Sequence, residues 1–251
     1  MSLLRPGLHV VRRDDRHLQI GLDPPWRLVV PDEPDVHRLL ADLAAGREPD
    51  PSTASAHRVL HDLRVAGLLR TGPAPDRVGR VAVLGAAAAV EDATRLLAAA
   101  GVEASAAEPD PDLVLLLAAG EPRREGLDDH MRAGRPHLVV TAGAAGYRVG
   151  PFVLPGATAC LRCVDAHLGE QDPRRAVVVE QLADRPAGPD DPTLAALATA
   201  WAVRDVLRYL SGERPASWSA TVELDLEAEP RCRPWPRHPY CGCAWAQEPV
   251  A

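Results

Sequence analysis

The residues best equipped for chemistry are cysteines in two close pairs, Cys160-Leu-Arg-Cys163 and Cys241-Gly-Cys243. Thiolates are soft ligands, four of them make a tetrahedral shell for zinc, and a two-residue gap lets both sulfurs of a knuckle face one ion. Gly242 permits the tighter turn that a one-residue gap demands. The spacing predicts a structural Zn2+ held by Cys160, Cys163, Cys241 and Cys243. The competing readings are unrelated buried thiols or a redox pair at 160 and 163. A redox pair normally opens a helix after a strand, and it would leave the second pair unexplained. Cys232 is left over and reads as a bystander thiol. Asp165 and His167 beside the first pair suit support of the ligands as well as they suit catalysis, and His238 reads as a local hydrogen-bonding residue.

Nucleotide chemistry is where the pattern fails. Gly85-Ala-Ala-Ala-Ala-Val90 follows an apolar strand at the place where a dinucleotide or ATP turn needs G-x-G-x-x-G. Ala87 and Val90 stand where glycines would let the backbone approach phosphate and the helix pack on the strand. Every basic residue is arginine, so a Schiff-base lysine and a P-loop lysine are both excluded. Glu103 and Glu108 read as loop charges rather than ribose ligands. The prediction is a Rossmann-type turn kept as scaffold, with no nucleotide bound. His130, His137 and His167 are scattered, no Ser/His/Asp order stands out, and no catalytic residue is expected.

Two kinds of element must position these groups. Alternating stretches at Leu8 to Arg12, His17 to Leu22 and Trp26 to Val30 predict three short antiparallel strands. A helix follows with Val36, Leu39, Leu40 and Leu43 on one face, then a second burying Ala56, Val59, Leu60 and Leu63 and ending near Gly67. The stretch 72–79 is dense in Pro and Gly and reads as a linker between residues 1–71 and 80–251. Beyond it strands are expected at 80–84, 102–106, 113–118, 137–141 and 220–226. Helices are expected at 90–100 and 126–133, and a long one carries Leu194, Leu197, Ala198, Trp201, Val206, Leu207 and Leu210 on its apolar side. Strands alternating with helices predict an α/β domain with a mainly parallel sheet.

With 251 residues and 46% apolar composition the chain can bury a large core. Its net charge of -7 offers no field for nucleic acid or an anionic bilayer. No apolar run approaches the roughly 20 residues of a spanning helix. A cytoplasmic location is expected, and there cysteines serve as ligands or thiols before disulfides.

The stretch Gly150-Pro-Phe-Val-Leu-Pro-Gly-Ala-Thr-Ala-Cys-Leu-Arg-Cys163, with Arg237-His-Pro-Tyr-Cys-Gly-Cys243, resembles the E1-like (ThiF/MoeB-type) superfamily. The chain looks closest to short members that accompany thiazole/oxazole-modified peptide biosynthesis. The resemblance implies a winged-helix-like, PqqD-type unit that binds the leader of a ribosomal precursor peptide, followed by a degenerate E1-like domain with a zinc tetracysteine site. It implies docking to a YcaO-type cyclodehydratase, and homodimers are ordinary for the fold. Active E1-like enzymes carry the glycine turn, an acidic and arginine-containing adenylation set and a lysine, and this sequence departs at all three. An adaptor is therefore expected, with an adenylating or sulfur-transfer enzyme as the alternative. Strand addition would place the leader along Trp26, Arg27, Leu28, Val29 and Val30, beside a helix face carrying Arg58, His61, Asp62 and Val65.

Overall fold

The computed structural model describes residues 2–71, 79–189, 191–227 and 229–244. The chain divides into two compact units, Met1–Asp76 and Arg77–Ala251. Most of the expected linker, 72–78, lies outside the described residues.

In the first unit, β2 (Val10–Arg12), β3 (His17–Ile20) and β4 (Leu28–Pro31) form an antiparallel sheet with β3 in the centre. Two helices follow, α1 (Pro34–Ala44) and α2 (Ala54–Val65). Proline in the first turn suits the start of α1, and the Thr53 hydroxyl caps α2 by accepting the Ala56 N–H at 3.2 Å. Ile20, Val36, Leu43, Leu63 and Leu68 are fully buried between sheet and helices. A strand pair absent from the sequence reading closes the unit: β1 (Ser2–Leu4) runs antiparallel to β5 (Leu69–Thr71). Trp26 and Arg27, expected in the third strand, lie before it. Gly21 has φ +72°, and a Cβ there would sit 1.8 Å from the Trp26 carbonyl oxygen, so residues 21–27 are consumed in folding back over the end of β3.

The second unit is a mixed α/β structure built on seven strands. Its elements are β6 (Arg80–Gly85), α3 (Ala87–Ala99), β7 (Glu103–Ser105), β8 (Leu113–Ala118), α4 (Arg124–Arg132), β9 (His137–Gly143) and β10 (Gly146–Val153), then α5 (Leu161–Gly169), α6 (Arg175–Leu182), α7 (Pro192–Leu210), β11 (Ala220–Asp225) and β12 (Pro230–Pro234). Across the sheet the order is β12-β11-β10-β9-β8-β6-β7. Strands β6 to β9 are parallel, as strand-helix alternation predicts, and β10 to β12 extend the sheet antiparallel. One face packs Val83, Leu115, Val140, Val149 and Val222 against α3 and α7, and the other packs Val139 and Val153 against α4, α5 and the cysteine tail. Two leucines depart from expectation. Leu197 on α7 is 36% exposed, and Leu226 lies beyond the end of β11 and is 58% exposed.

The outer edge of β12 is almost devoid of donors. The Trp235 N–H bonds the Ser219 carbonyl, which fixes the phase of the ladder: residues 231 and 233 point their N–H groups inward, and 230, 232 and 234 point outward. Two of those three are proline, so Cys232 alone offers an outward N–H.

His137 on β9 is 1% exposed and donates Nδ1–H to the Arg135 carbonyl at 3.0 Å. Burial lowers its pKa from 6.5 to about 4, against the Arg135 carbonyl and with some help from His130. Between these values the unfolded chain takes up a proton that the folded chain refuses, so stability falls as pH drops from about 6.5 to about 4. At 1.36 kcal/mol per pKa unit the loss is about 3 kcal/mol. Denaturant unfolding near neutral pH and near pH 4 should show that share of the loss vanishing in His137→Leu. Equal losses in both proteins would refute the assignment.

Candidate functional site

Cys160 precedes α5 in extended conformation, and its carbonyl accepts the N–H groups of Cys163 at 3.0 Å and Val164 at 3.3 Å. The approach is pinned by Thr158, whose hydroxyl accepts the Leu154 N–H at 2.8 Å and donates to the Phe152 carbonyl at 3.1 Å. The second pair arrives from β12 through Trp235, which is buried and donates Nε1–H to the Thr221 hydroxyl at 2.9 Å. Arg237 Nη2 donates to the Cys243 carbonyl at 2.8 Å.

The Cys160 sulfur lies 3.7 Å from that of Cys163 and 3.6 Å from that of Cys241, the Cys163 and Cys243 sulfurs are 3.3 Å apart, and all four fall within 4.8 Å of one another. A disulfide would draw two of them to about 2.05 Å. A tetrahedron with Zn–S bonds of about 2.3 Å has edges of about 3.8 Å. The four free thiols therefore fit zinc in donor type and spacing. Crowded sulfurs do not ionise independently: hydrogen bonding to Cys163 raises the Cys160 thiol, while the same contact lowers Cys163. A dication at the centre is what lets all four lose their protons. Gly242 departs from expectation. Its φ is not in the left-handed region, and a Cβ there would meet nothing within 4 Å among the described residues. The one-residue gap is spanned by a 3₁₀ turn that other residues can adopt.

His167, Glu170 and His238 form a second group whose ligand atoms lie within 4.8 Å of one another. Its hydrogen bonds give it a bracing role. The Tyr240 N–H donates to His238 Nδ1, which places the His238 proton on Nε2, where it is given to Glu170 at 3.1 Å. His167 donates Nε2–H to the Pro236 carbonyl at 3.0 Å. Both rings thus tie α5 to the segment that delivers Cys241 and Cys243.

The switch point of the sheet lies between the C-terminal ends of β6 and β8, since β7 and β8 flank β6 on opposite sides. A crevice of about 490 Å³ opens there. Gly85 has φ +127°, and a Cβ would come 1.9 Å from the Leu117 carbonyl oxygen, so this glycine serves the contact between strands. Ala87 begins α3, and Ala86 before it gives no side-chain cap. The lining contains one arginine, Arg123, already paired with Asp184 and Glu180. Arg124 turns away from the crevice. It is 5% exposed and holds Asp165 at 2.6 Å and Glu121 at 2.8 Å, with Arg175 also reaching Asp165 at 3.3 Å and Arg148 3.6 Å from Glu121. Sequence reasoning missed this chain of charges, because its members come from separate segments and no spacing joins them.

The residues expected at the peptide edge are dispersed by function. The Asp32 N–H bonds the Arg16 carbonyl, so along β4 residues 28 and 30 face β3 while Val29 turns its N–H and C=O to the open edge. Val29 is 39% exposed and Val30 is buried in the core, so the side chain of Val30 is out of a peptide's reach. Trp26, under the Arg5 guanidinium, and Arg27 are exposed, and Leu28 is half-buried. Arg58, His61, Asp62 and Val65 are exposed on α2. A groove that the sequence did not suggest, of about 540 Å³, lies at the opposite edge, where Val10 and Arg12 of β2 face Leu40 and Ala44 of α1.

No protein-family model matches the sequence, and no curated protein matches it either. Solved structures share the fold. The heterocyclase TruD is 18% identical with a TM-score of 0.71, over 97% of this chain and 42% of that one. A heterocyclase in complex with substrate and cofactor is 14% identical with a TM-score of 0.68, over 94% of this chain and 38% of that one. MccB of E. coli, solved with AMPCPP and MccA, is 11% identical with a TM-score of 0.62, over 96% of this chain and 99% of that one. The chain thus spans about two fifths of the length of the two heterocyclases.

Removing one of four ligands leaves a shell that no longer holds the ion or the tail. Metal analysis of purified protein should find about one zinc per chain. Cys160→Ser and Cys243→Ser should each lose zinc and melt at lower temperature. Full zinc content in the double variant Cys241→Ser, Cys243→Ser would refute the site.

Proposed function

We propose that the chain is a non-catalytic adaptor that binds the leader of a ribosomal precursor peptide and presents it to a YcaO-type cyclodehydratase in thiazole/oxazole-modified peptide biosynthesis. In this reading residues 1–71 are a winged-helix-like recognition unit. Residues 80–251 are a degenerate E1-like domain that keeps its zinc and docks the enzyme in the cytoplasm. One observation carries it: 97% and 94% of the chain share the fold of part of two heterocyclases, one of them solved in complex with substrate and cofactor. The paired state of Arg123 and the burial of Arg124 support the adaptor over an adenylating enzyme, since neither guanidinium is free for a triphosphate.

The leader would add as a strand beside β4, taking its main-chain bonds from Val29 and its specificity from pockets toward α2. The precursor leader encoded beside this chain, fluorescently labelled, is the probe. It should bind the full chain, and Val29→Pro should weaken binding about tenfold or more by removing an outward donor. If Val29→Pro binds as the parent does while Arg12→Pro loses the leader, the peptide uses β2 and the assigned edge is wrong.

An adaptor alone should also exchange no label between pyrophosphate and ATP in the presence of the precursor. Sustained exchange would replace this reading with an adenylating enzyme.

A further inference from the structure

The four sulfurs of the cluster are unequally protected. Cys160, Cys163 and Cys241 are buried, whereas Cys243 is partly exposed. A concavity of about 540 Å³ opens over them, with Cys160, Cys241 and Cys243 in its wall and the fully buried Cys163 outside it. Gly242 lines the same space, and a Cβ there would meet nothing within 4 Å among the described residues, so open volume reaches the turn that carries two of the ligands. The charged groups of the wall are already paired, Arg162 with Asp128 at 2.6 Å and Arg132 with Asp129. Such a wall suits a small uncharged reagent rather than an anion.

Proximity among the sulfurs favours bonds between segments over bonds within them. The most exposed sulfur, that of Cys243, lies 3.3 Å from the most buried one, that of Cys163. Cys160 and Cys241, again one from each segment, are 3.6 Å apart, and the two sulfurs of the first knuckle are 3.7 Å apart. A disulfide inside the first knuckle would cut the tail loose. One between Cys163 and Cys243 would keep the tail fastened to α5.

We propose that the cluster is a reversible, peroxide-sensitive latch: hydrogen peroxide enters by this concavity, Cys243 is oxidised first, and Cys163 closes a disulfide on it as zinc is released. Cysteines that ligate a metal are thiolates, the nucleophilic form. The Cys243 thiolate attacks one peroxide oxygen, the O–O bond breaks, and a sulfenic acid and a hydroxide ion result. The Cys163 thiolate then attacks the Cys243 sulfur, so that an S–S bond forms, the S–O bond breaks and a second hydroxide leaves. One peroxide is thereby reduced by two electrons, which the two sulfurs supply. Cys160 and Cys241 remain as two ligands, too few for a closed tetrahedral shell. Because the new bond still ties the tail to α5, a thiol reductant and fresh zinc can rebuild the site. The proposal does not depend on the adaptor role.

The full chain carrying Cys232→Ser, which removes the exposed thiol of β12, tests it. Its zinc content is measured first, an equimolar amount of hydrogen peroxide is added, released zinc is followed with a chromogenic chelator, and thiol pairs are mapped by mass spectrometry. Zinc should leave in step with the loss of two thiols, and the first bridge should join Cys163 to Cys243. Dithiothreitol with added zinc should restore the zinc content and the melting temperature. Gly242→Leu places a side chain in the open space and should hold as much zinc yet release it several-fold more slowly; if that variant binds less zinc, the bridge mapped in its parent decides. A first bridge between Cys160 and Cys163, sulfinic acid at Cys243 in place of a bridge, zinc retained after both thiols are consumed, or an unchanged rate in fully loaded Gly242→Leu would overturn the proposal.

Discussion

The buried guanidinium of Arg124 is the contact on which the second unit turns. Burial alone would lower its pKa, but Asp165 and Glu121 more than offset this and keep it charged. Asp165 belongs to the helix that begins at Cys160, and Glu121 to the loop after β8, so one side chain joins the knuckle to the mouth of the sheet. Such an arrangement tolerates loss of a partner badly, because the survivor is a stranded charge in a poor solvent. The four sulfurs and this arginine brace the same helix from opposite sides, and the His167 and His238 rings continue the sulfur-bearing face one turn further along.

What could be read in advance follows the range of the interaction. Strands β6, β8 and β9 were legible because each is a buried apolar run flanked by helical periodicity. The thiols were legible because a ligand shell leaves its spacing in the chain. The β1–β5 pair was not, since each strand has three residues and its partner lies at the other end of the unit's sequence. Strand β12, with every residue exposed and proline at both ends, carries no period at all. Helix α6 is likewise silent, with Val177, Val178 and Leu182 exposed and only Val179 buried.

Glycine gave mixed guidance for one physical reason. Its meaning depends on what lies across from the missing side chain, which a sequence does not state. Gly85 resembled half of a phosphate turn, and its real neighbour is the Leu117 carbonyl. Gly242 looked obligatory and has open space around it, whereas Gly21, to which no role was given, sets where β4 can begin.

The prolines at 230 and 234 have a consequence for the company this protein keeps. Placed with the period of the strand, they leave that flank of a seven-stranded sheet with a single usable amide, that of Cys232. An extended chain zipping onto it would gain too few bonds to offset its own ordering. The largest sheet is thereby closed at that border to any extended segment, a second copy of the same strand included, and β7 is left as its other outer strand.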